Sequence, residues 1–162
     1  MKILIYDLDD TLYDTRLLKN KDRIQYDEEL YSLMNNGHPS YIYTNAVLEH
    51  AIDILERKQL LHLIRGGIPG IYHREKENVQ MKPSIMGYRY VEEDILYKEK
   101  VSLFDEIDIY FFDDLPTNLK AAKRLGWNTV LIGPNIYNET FIDHQYYSVK
   151  NALKDMRKKN II

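Results

Sequence analysis

Asp7, Asp9 and Asp10 lie directly after the first apolar run of the chain, and Thr11 follows them. That run, residues 2–6, is short and rich in β-branched and aromatic residues, which is typical of a buried parallel strand. Open α/β sheets bind their ligands at the edge where such strands end. Carboxylates this close repel one another unless a cation or a reaction uses them. A solvated acidic turn is the alternative, because aspartate is common in turns.

Further polar residues stand at the ends of other predicted strands or beside predicted helices. Thr44 and Asn45 follow a second strand, Lys82 lies shortly before a helix, and Asp113 and Asp114 end the most apolar of the later strands. Parallel strands joined by right-handed crossovers end at one edge of a sheet. We therefore expect all of these side chains at a single rim.

The residue types at this rim suit the transfer of a phosphoryl group. Carboxylates from two strands can share a hard cation, and Mg²⁺ favours oxygen ligands. A hydroxyl and an ammonium beside that cation form a pocket for a doubly charged phosphoryl group. Asp7 would then attack phosphorus to form an aspartyl-phosphate, while Asp9 transfers protons as a general acid and base.

Strands and helices alternate along the rest of the chain, which predicts a central parallel sheet flanked by helices on both faces. Helices are predicted at 28–35, 46–62, 84–98, 118–125 and 147–157, and strands at 40–43, 71–72, 108–112 and 128–132. Segment 16–25 is charged and has no apolar period, so it is predicted to be a loop or a short irregular helix. With no repeat or linker, the prediction is one domain over residues 1–162.

Composition excludes several classes of protein. The 162 residues are 44% hydrophobic and 29% charged, as in soluble globular domains, and the net charge of −3 gives no field that recruits nucleic acid or membranes. The absence of cysteine excludes disulfides, thiolate nucleophiles and cysteine-bound zinc. No apolar run is long enough for a membrane span and no signal-peptide pattern opens the chain, so the expectation is a cytoplasmic protein with no membrane partner.

Four motifs together resemble those of the haloacid dehalogenase (HAD) superfamily, in the form found in its phosphatases. The first is Asp7-Leu8-Asp9-Asp10-Thr11-Leu12-Tyr13 and the second is Tyr43-Thr44-Asn45-Ala46. Lys82-Pro83 resembles the third motif, and Phe112-Asp113-Asp114 with Asn118 the fourth. They occur in the family's order over residues 1–133. The resemblance is greatest to the pyrimidine 5′-nucleotidase-like branch, partly because His50-Ala51 follows the second motif.

The resemblance implies a three-layer, Rossmann-like HAD core and Mg²⁺-dependent hydrolysis of phosphomonoesters. It makes Asp7 the nucleophile and Asp9 the acid and base. It assigns Mg²⁺ to Asp7, the backbone carbonyl of Asp9, Asp113 and Asp114, and phosphate to Thr44, Asn45 and Lys82. Asp10 and Thr11 would support the first motif, and Asn118 would orient Lys82 or the acidic pair. An acid at position 9 favours phosphate esters over dehalogenation.

The chain departs from that branch in the helical cap domain that closes over the substrate. Only residues 14–26 and 73–81 are available as insertions, and neither segment is long enough for a bundle with its own core. We therefore expect an open site with a minimal cap or none, and a substrate that is either a nucleotide or a phosphorylated macromolecule. An open rim would also suit a homodimer. The basic residues of the residual insert would meet a phosphate-rich substrate or are simply solvated: Arg16, Lys19, Lys21 and Arg23.

Two alternatives come from other functional classes. A catalytically inactive phosphate-binding or regulatory module would share the fold. A receiver-like signalling domain also uses acids, threonine and lysine at a sheet rim. Such a domain carries its acidic pair after its first strand, whereas the pair here, Asp113-Asp114, follows a late strand. The histidines show no metal-ligand spacing, and His50 is expected on a helix surface. Tyr13 and Tyr88 are the tyrosines expected near a substrate.

Overall fold

One parallel sheet of six strands forms the centre of the molecule. The computed structural model describes residues 1–102 and 104–162. The strands are β1 (Lys2–Tyr6), β2 (Ser40–Tyr43), β3 (Ile71–Tyr72), β4 (Asp108–Asp113), β5 (Asn128–Ile132) and β6 (His144–Tyr146). Their order is β3-β2-β1-β4-β5-β6, and every pair is parallel. The connections reverse direction between β1 and β4, so these two central strands flank the switch point where such sheets bind ligands.

Helices cover both faces of the sheet, which confirms the predicted three-layer α/β architecture. They are α1 (Glu28–Met34), α2 (Leu48–Arg57), α3 (Ile85–Lys98), α4 (Pro116–Lys123) and α5 (Val149–Lys158), with 3-10 helices at Thr15–Arg23, Leu61–Leu63 and Ile68–Gly70. The carboxylate of Asp27 caps α1 by accepting a hydrogen bond from the N–H of Leu30 (3.0 Å). Within residues 1–102 and 104–162, no helix has the length and apolar character needed to cross a bilayer.

The continuous apolar sequence of β1 follows from its burial on both faces. Leu4 and Tyr6 belong to the hydrophobic cluster shared with α1, α2 and α5. Ile3 and Ile5 point to the opposite cluster, which includes residues of α3 and α4. All four side chains are fully buried. A strand enclosed in this way holds its carboxyl end rigidly, and the acidic motif begins there.

The structure differs from the sequence prediction mainly at one sheet edge. Residues 144–146 were expected in a loop but form β6, whose Gln145 pairs with Leu131 of β5. Its polar sequence and partial exposure give no alternating apolar signal, so only its neighbour in the sheet identifies it as a strand. The helix expected over 46–62 ends at Arg57, and segment 16–25 contains the 3-10 helix Thr15–Arg23.

Asp143 ties the start of β6 to the rest of the sheet. Its carboxylate accepts hydrogen bonds from the N–H of Thr129 (2.8 Å) and from Nζ of Lys123 (2.7 and 2.8 Å). Its own N–H donates to Oγ1 of Thr129 (3.0 Å). Burial alone would raise the pKa of Asp143, but these bonds from Lys123 and Thr129 hold it below its ordinary value. The ionised carboxylate therefore stabilises the fold.

We expect Asp143→Asn to lower the free energy of unfolding at pH 7 by about 1 kcal/mol, because the amide loses the charge that Lys123 pairs with. Since the folded pKa is depressed, this contribution is present above the unfolded pKa of about 3.9 and is lost as pH falls through the folded value. Urea unfolding at pH 7 and pH 3 measures it, with the exposed Asp108→Asn as control. The same loss at both pH values would contradict the assignment.

Candidate active site

The polar residues predicted at one rim lie together at the carboxyl ends of β1, β2 and β4. Asp7 follows β1, and its N–H donates to the carbonyl of Phe112 in β4 (2.8 Å). Asp113 is the last residue of β4, one position beyond that carbonyl. Thr44 follows β2, with its N–H bonded to the carbonyl of Tyr72 in β3 (2.9 Å). The sheet itself therefore places these groups around one crevice.

The ammonium of Lys82 joins the two central strands at this rim. Its Nζ donates to Oδ1 of Asp7 (2.7 Å) and to Oδ2 of Asp113 (2.6 Å). The Lys82 side chain is 1% exposed and the Asp113 side chain is fully buried. An ion pair this deep depends on good geometry, because the cost of removing each charge from water is several kcal/mol.

Asn45 holds the backbone of Lys82 in place. Its Oδ1 accepts from the N–H of Lys82 (2.7 Å), and its Nδ2 donates to the Lys82 carbonyl (3.0 Å). Asn45 therefore positions Lys82, and its contact with phosphate stays a prediction, for which the second Nδ2 hydrogen remains. Thr44 accepts the N–H of Ala46 at Oγ1 (3.1 Å), and its hydroxyl hydrogen has no acceptor within residues 1–102 and 104–162, although the residue is 1% exposed.

The segment before Lys82 packs closely on β2 and α3. The hydroxyl of Tyr43 donates to the carbonyl of Gln80 (2.8 Å). A Cβ atom on Gly87 would lie 2.3 Å from both that hydroxyl oxygen and that carbonyl oxygen, so only glycine fits at this point of α3. This close approach brings the chain that carries Lys82 down onto the sheet.

Asn118 orients Asp113, which is one of the two roles predicted for it. Its Nδ2 donates to both carboxylate oxygens of Asp113 (3.0 and 3.1 Å), and the N–H of Leu115 donates to Oδ1 (2.8 Å). Tyr88 is fully buried and donates to the Asn118 carbonyl (2.9 Å). The expectation that Tyr88 lies near the substrate is therefore wrong, because the ring belongs to the core beneath the site.

Thr11 and Asp10 shape the turn that follows β1. The hydroxyl of Thr11 donates to Oδ2 of Asp7 (3.2 Å). Asp10 has a φ of +56°, in the left-handed region that aspartate tolerates better than most residues. Its Oδ1 accepts from the N–H (2.9 Å) and the hydroxyl (2.7 Å) of Thr15. The Asp10 carboxylate therefore closes the turn.

Within the described residues, the carboxyl groups at the rim outnumber the one ammonium that pairs with them. Burial alone would lower the pKa of Lys82, but the carboxylates of Asp113 and Asp7 hold it above its ordinary value. Burial raises the pKa of Asp7 to about 7; the Lys82 ammonium lowers it, and the negative charge of Asp113 adds to the rise. Burial and the same Asp113 raise the pKa of Asp114 to about 6. One ammonium thus faces three acids.

The same acids fit a divalent metal ion. Asp7, Asp113 and Asp114 each offer a carboxylate oxygen, and these oxygens lie within 4.8 Å of one another. Donors that are all oxygen suit a hard cation such as Mg²⁺. The excess negative charge would be neutralised by it, so both the donor set and the electrostatics fit.

Asp9 points to a tyrosine and a histidine at the exposed side of the rim. Its Oδ1 lies 2.8 Å from Nε2 of His50 and accepts a hydrogen bond from the Tyr13 hydroxyl. His50 is thus in the site and not simply on a helix surface, as the sequence had suggested. Its place in the first turn of α2, six residues after Thr44, was the available signal. Tyr13, expected near a substrate, lies beside the acid.

Comparison with known proteins identifies the fold. No family model and no curated protein matches the chain. Among solved structures, a Thermotoga maritima protein assigned as a β-phosphoglucomutase matches with a TM-score of 0.64 at 14% identity, covering 98% of this chain and 99% of that one. The L-2-haloacid dehalogenase of Xanthobacter autotrophicus matches with a TM-score of 0.65 at 11% identity, covering 97% and 98%.

A Bacillus subtilis protein assigned as a HAD hydrolase, crystallised with magnesium, matches with a TM-score of 0.65 at 15% identity, covering 99% of both chains. The similar structures are thus members of the HAD superfamily, and they carry different activities. At these identities the likeness shows the fold alone. The chain has the Rossmann-like α/β core of HAD proteins.

We expect Mg²⁺ to raise the thermal midpoint of unfolding, because an ion that binds only the folded site stabilises it in proportion to the logarithm of its concentration. Asp114→Asn replaces a negatively charged carboxylate by a neutral amide and should weaken Mg²⁺ binding at least about tenfold. Loss of a residue that only supports a metal ligand already has an effect of this size. Asp108→Asn is the matched control, since it removes an exposed acid at the opposite end of β4. Equal midpoint shifts in both variants would contradict a metal site at this rim.

Proposed function

We propose that this protein is a Mg²⁺-dependent phosphatase that hydrolyses phosphomonoesters through an aspartyl-phosphate on Asp7, with Asp9 as acid and base. One observation carries the proposal. The Asp7 carboxylate is buried and hydrogen-bonded to the Lys82 ammonium, whereas the Asp9 side chain, two residues later, is 36% exposed. The first can attack phosphorus while the second remains accessible to the leaving group.

In the first step an oxygen of the Asp7 carboxylate attacks phosphorus and forms a new P–O bond. The bond between phosphorus and the ester oxygen breaks, and Asp9 gives its proton to the departing oxygen. The bonds from Lys82 and Thr11 keep the Asp7 carboxylate in one orientation for this attack. Orientation of this kind lowers the barrier because it removes rotational freedom before the reaction.

In the second step Asp9, now a carboxylate, takes a proton from a water molecule that attacks phosphorus. The bond between phosphorus and the Asp7 oxygen breaks, inorganic phosphate leaves, and both aspartates return to their starting forms. The Lys82 ammonium and the Thr44 hydroxyl would bind the phosphoryl oxygens in this scheme. Asn45 acts in this scheme by holding Lys82.

Asp7, Asp113, Asp114 and the backbone carbonyl of Asp9 would hold Mg²⁺. When bound, the ion would supply positive charge that stabilises the phosphoryl oxygens in the transition state. Asn118 would keep Asp113 in the orientation needed for this ligation. The ion pairs of Lys82 with Asp7 and Asp113 would hold its ammonium beside the same phosphoryl group.

Asp9 favours a phosphatase over a dehalogenase, although a dehalogenase shares the fold. A halide leaves as an anion and needs no proton, whereas an alkoxide leaves poorly unless it is protonated. Dehalogenation would therefore not need the Asp9 carboxylate at the exposed side of the rim. Hydrolysis of an alkyl phosphate ester would need it as the proton donor.

An open site fits the placement of the residual insert, residues 14–26. Lys21 of this segment pairs with Asp53 of α2 (2.8 Å), and its carbonyl accepts from Arg57 (3.3 Å). Ile24 is buried against the core. The later part of the insert is therefore held along the side of α2, while its first residues, 14–16, line the groove beside Thr11 and Asp114. A segment this short and this firmly attached supports the proposal that a cap over the substrate is minimal or absent.

A groove of about 550 Å³ beside the catalytic residues suggests where the leaving group binds. Thr11 and Asp114 line its inner end, and Asn135, Tyr137 and Tyr147 line its outer side. Tyr147 is 74% exposed and so offers an aromatic surface for stacking. The same groove carries three acids, Asp10, Asp14 and Asp114, against one base, Arg16, which pairs with Asp14. The remaining negative charge would repel a polyanion, which favours a nucleotide-sized substrate over a nucleic-acid end.

Wild-type protein should hydrolyse p-nitrophenyl phosphate in Mg²⁺ and lose turnover in chelator, because the acids then repel the phosphate dianion. Asp7→Asn should abolish turnover, since the amide is no nucleophile, whereas Asp108→Asn should keep it. Asp7→Asn should also prevent trapping of a phosphoryl group on the protein, which mass spectrometry after acid quench measures. Turnover that survives Asp7→Asn would contradict the covalent route.

The groove predicts a preference among natural substrates. We expect kcat/KM for nucleoside monophosphates to exceed that for 5′-phosphorylated oligonucleotides. Tyr147→Ala should raise KM for the nucleotide about tenfold, the loss of one stacking contact, with less effect on p-nitrophenyl phosphate. Tyr97→Ala, at an exposed tyrosine of α3 outside the groove, is the control. Equal KM changes in the two tyrosine variants would remove the groove from the substrate site.

A further inference from the structure

Three polar atoms meet at the accessible side of the rim: Oδ1 of Asp9, the hydroxyl oxygen of Tyr13 and Nε2 of His50. The histidine nitrogen lies 2.8 Å from Oδ1 and 3.0 Å from the Tyr13 hydroxyl, and that hydroxyl is bonded to Oδ1. The Tyr13 residue is buried, while the His50 side chain is 23% exposed. The cluster is therefore built into the wall of the site.

Only one arrangement of hydrogens suits these contacts when Oδ1 bears none. A carboxylate oxygen without hydrogen can only accept, so an unprotonated Nε2 would oppose its lone pair to that of Oδ1. The Tyr13 hydroxyl has a single hydrogen, which it uses on Asp9. His50 must then carry a hydrogen on Nε2 and donate it to the same oxygen.

We propose that His50 and Tyr13 are positioning residues for the acid and base: together they hold Oδ1 of Asp9, so that the proton exchanged with substrate resides on Oδ2. Among residues 1–102 and 104–162, Oδ2 of Asp9 has no hydrogen-bond partner, so it is available to a leaving oxygen or a water. This inference rests on the proposed phosphatase function and adds two residues to it.

The backbone supports the same assignment. Residues 9 and 13 form an isolated parallel bridge, which brings the Tyr13 ring back over the motif that starts with Asp7. His50 is the third residue of α2, the helix that begins just after Thr44 and Asn45. The helix that leaves the phosphate-binding turn thus also carries the group that orients Asp9. Both contacts are set before a substrate arrives, which is what a preorganised acid requires.

The test compares two substrates that differ in their need for a proton. p-Nitrophenolate leaves without protonation, whereas the alkoxide of glycerol 2-phosphate needs an acid. The constant kcat/KM includes only the steps up to release of the leaving group, so it isolates the acid from the later base. The measured quantity is the ratio of kcat/KM for glycerol 2-phosphate to that for p-nitrophenyl phosphate.

For His50→Ala and Tyr13→Phe we expect this ratio to fall about tenfold or more, part of the 10²- to 10⁴-fold that a positioned general acid contributes. His50→Gln should restore much of the ratio, since its amide can place an N–H near the position of Nε2. A purely structural role would lower both kcat/KM values equally and leave the ratio unchanged. That outcome, with a functional wild-type enzyme, would overturn the inference alone.

The chain supplies a matched control in a second histidine–tyrosine pair. Nε2 of His62 lies 3.0 Å from the hydroxyl of Tyr31. Within the described residues, the His62 ring has no carboxylate partner. His62→Gln and Tyr31→Phe should leave the substrate ratio unchanged. If these variants lower the ratio as much as those at His50 and Tyr13, the inference fails.

A second measurement does not depend on turnover. The ¹⁵N shifts of the His50 ring in the resting protein should show hydrogen on Nε2, and Asp9→Asn should change them more than Asp10→Asn does. An Nδ1–H tautomer of neutral His50 would overturn the inference whatever the kinetics. If the wild type hydrolyses neither substrate, the proposed function falls and the positioning role falls with it, which distinguishes this result from an unchanged ratio.

Discussion

The ammonium of Lys82 between the carboxylates of Asp7 and Asp113 is the contact on which the site depends. Truncating one partner of such a buried pair costs about 3–5 kcal/mol, because it leaves an uncompensated charge. The surrounding structure accordingly constrains all three groups. Asn45 holds the lysine backbone, Asn118 orients Asp113, and the adjacency of β1 and β4 sets the distance between the acids.

Local sequence was sufficient to predict the sheet and the acids at its rim. Apolar runs that end in aspartate, as at Asp7 and Asp113, define both the strand and the side chain that follows it. Roles that depend on packing were not predictable. Asn45 holds Lys82 because a distant segment descends onto β2, and Tyr88 lies in the core because α3 packs there. β6 has no apolar alternation and is recognised only by its pairing with β5.

The two ends of the proposed reaction share α2 as a scaffold. The turn that leads into this helix contains Thr44 and Asn45, and its first turn carries His50. The second half of the helix anchors the residual insert through Asp53 and Arg57. One helix therefore fixes the relative positions of the proposed phosphate-binding turn, the His50 ring beside Asp9, and the insert. A rigid scaffold of this kind fits the proposed site with a minimal cap, because no closing motion is needed to bring its groups together.

The two edges of the sheet are formed by its shortest strands, β3 with two residues and β6 with three. An edge strand exposes unpaired N–H and C=O groups on which another polypeptide can add a strand, and short edges offer few of them. Intermolecular sheet extension, and the fibrillar aggregation that it seeds, is therefore disfavoured from either side. Self-association of the folded protein through helix surfaces or loops is not limited in this way.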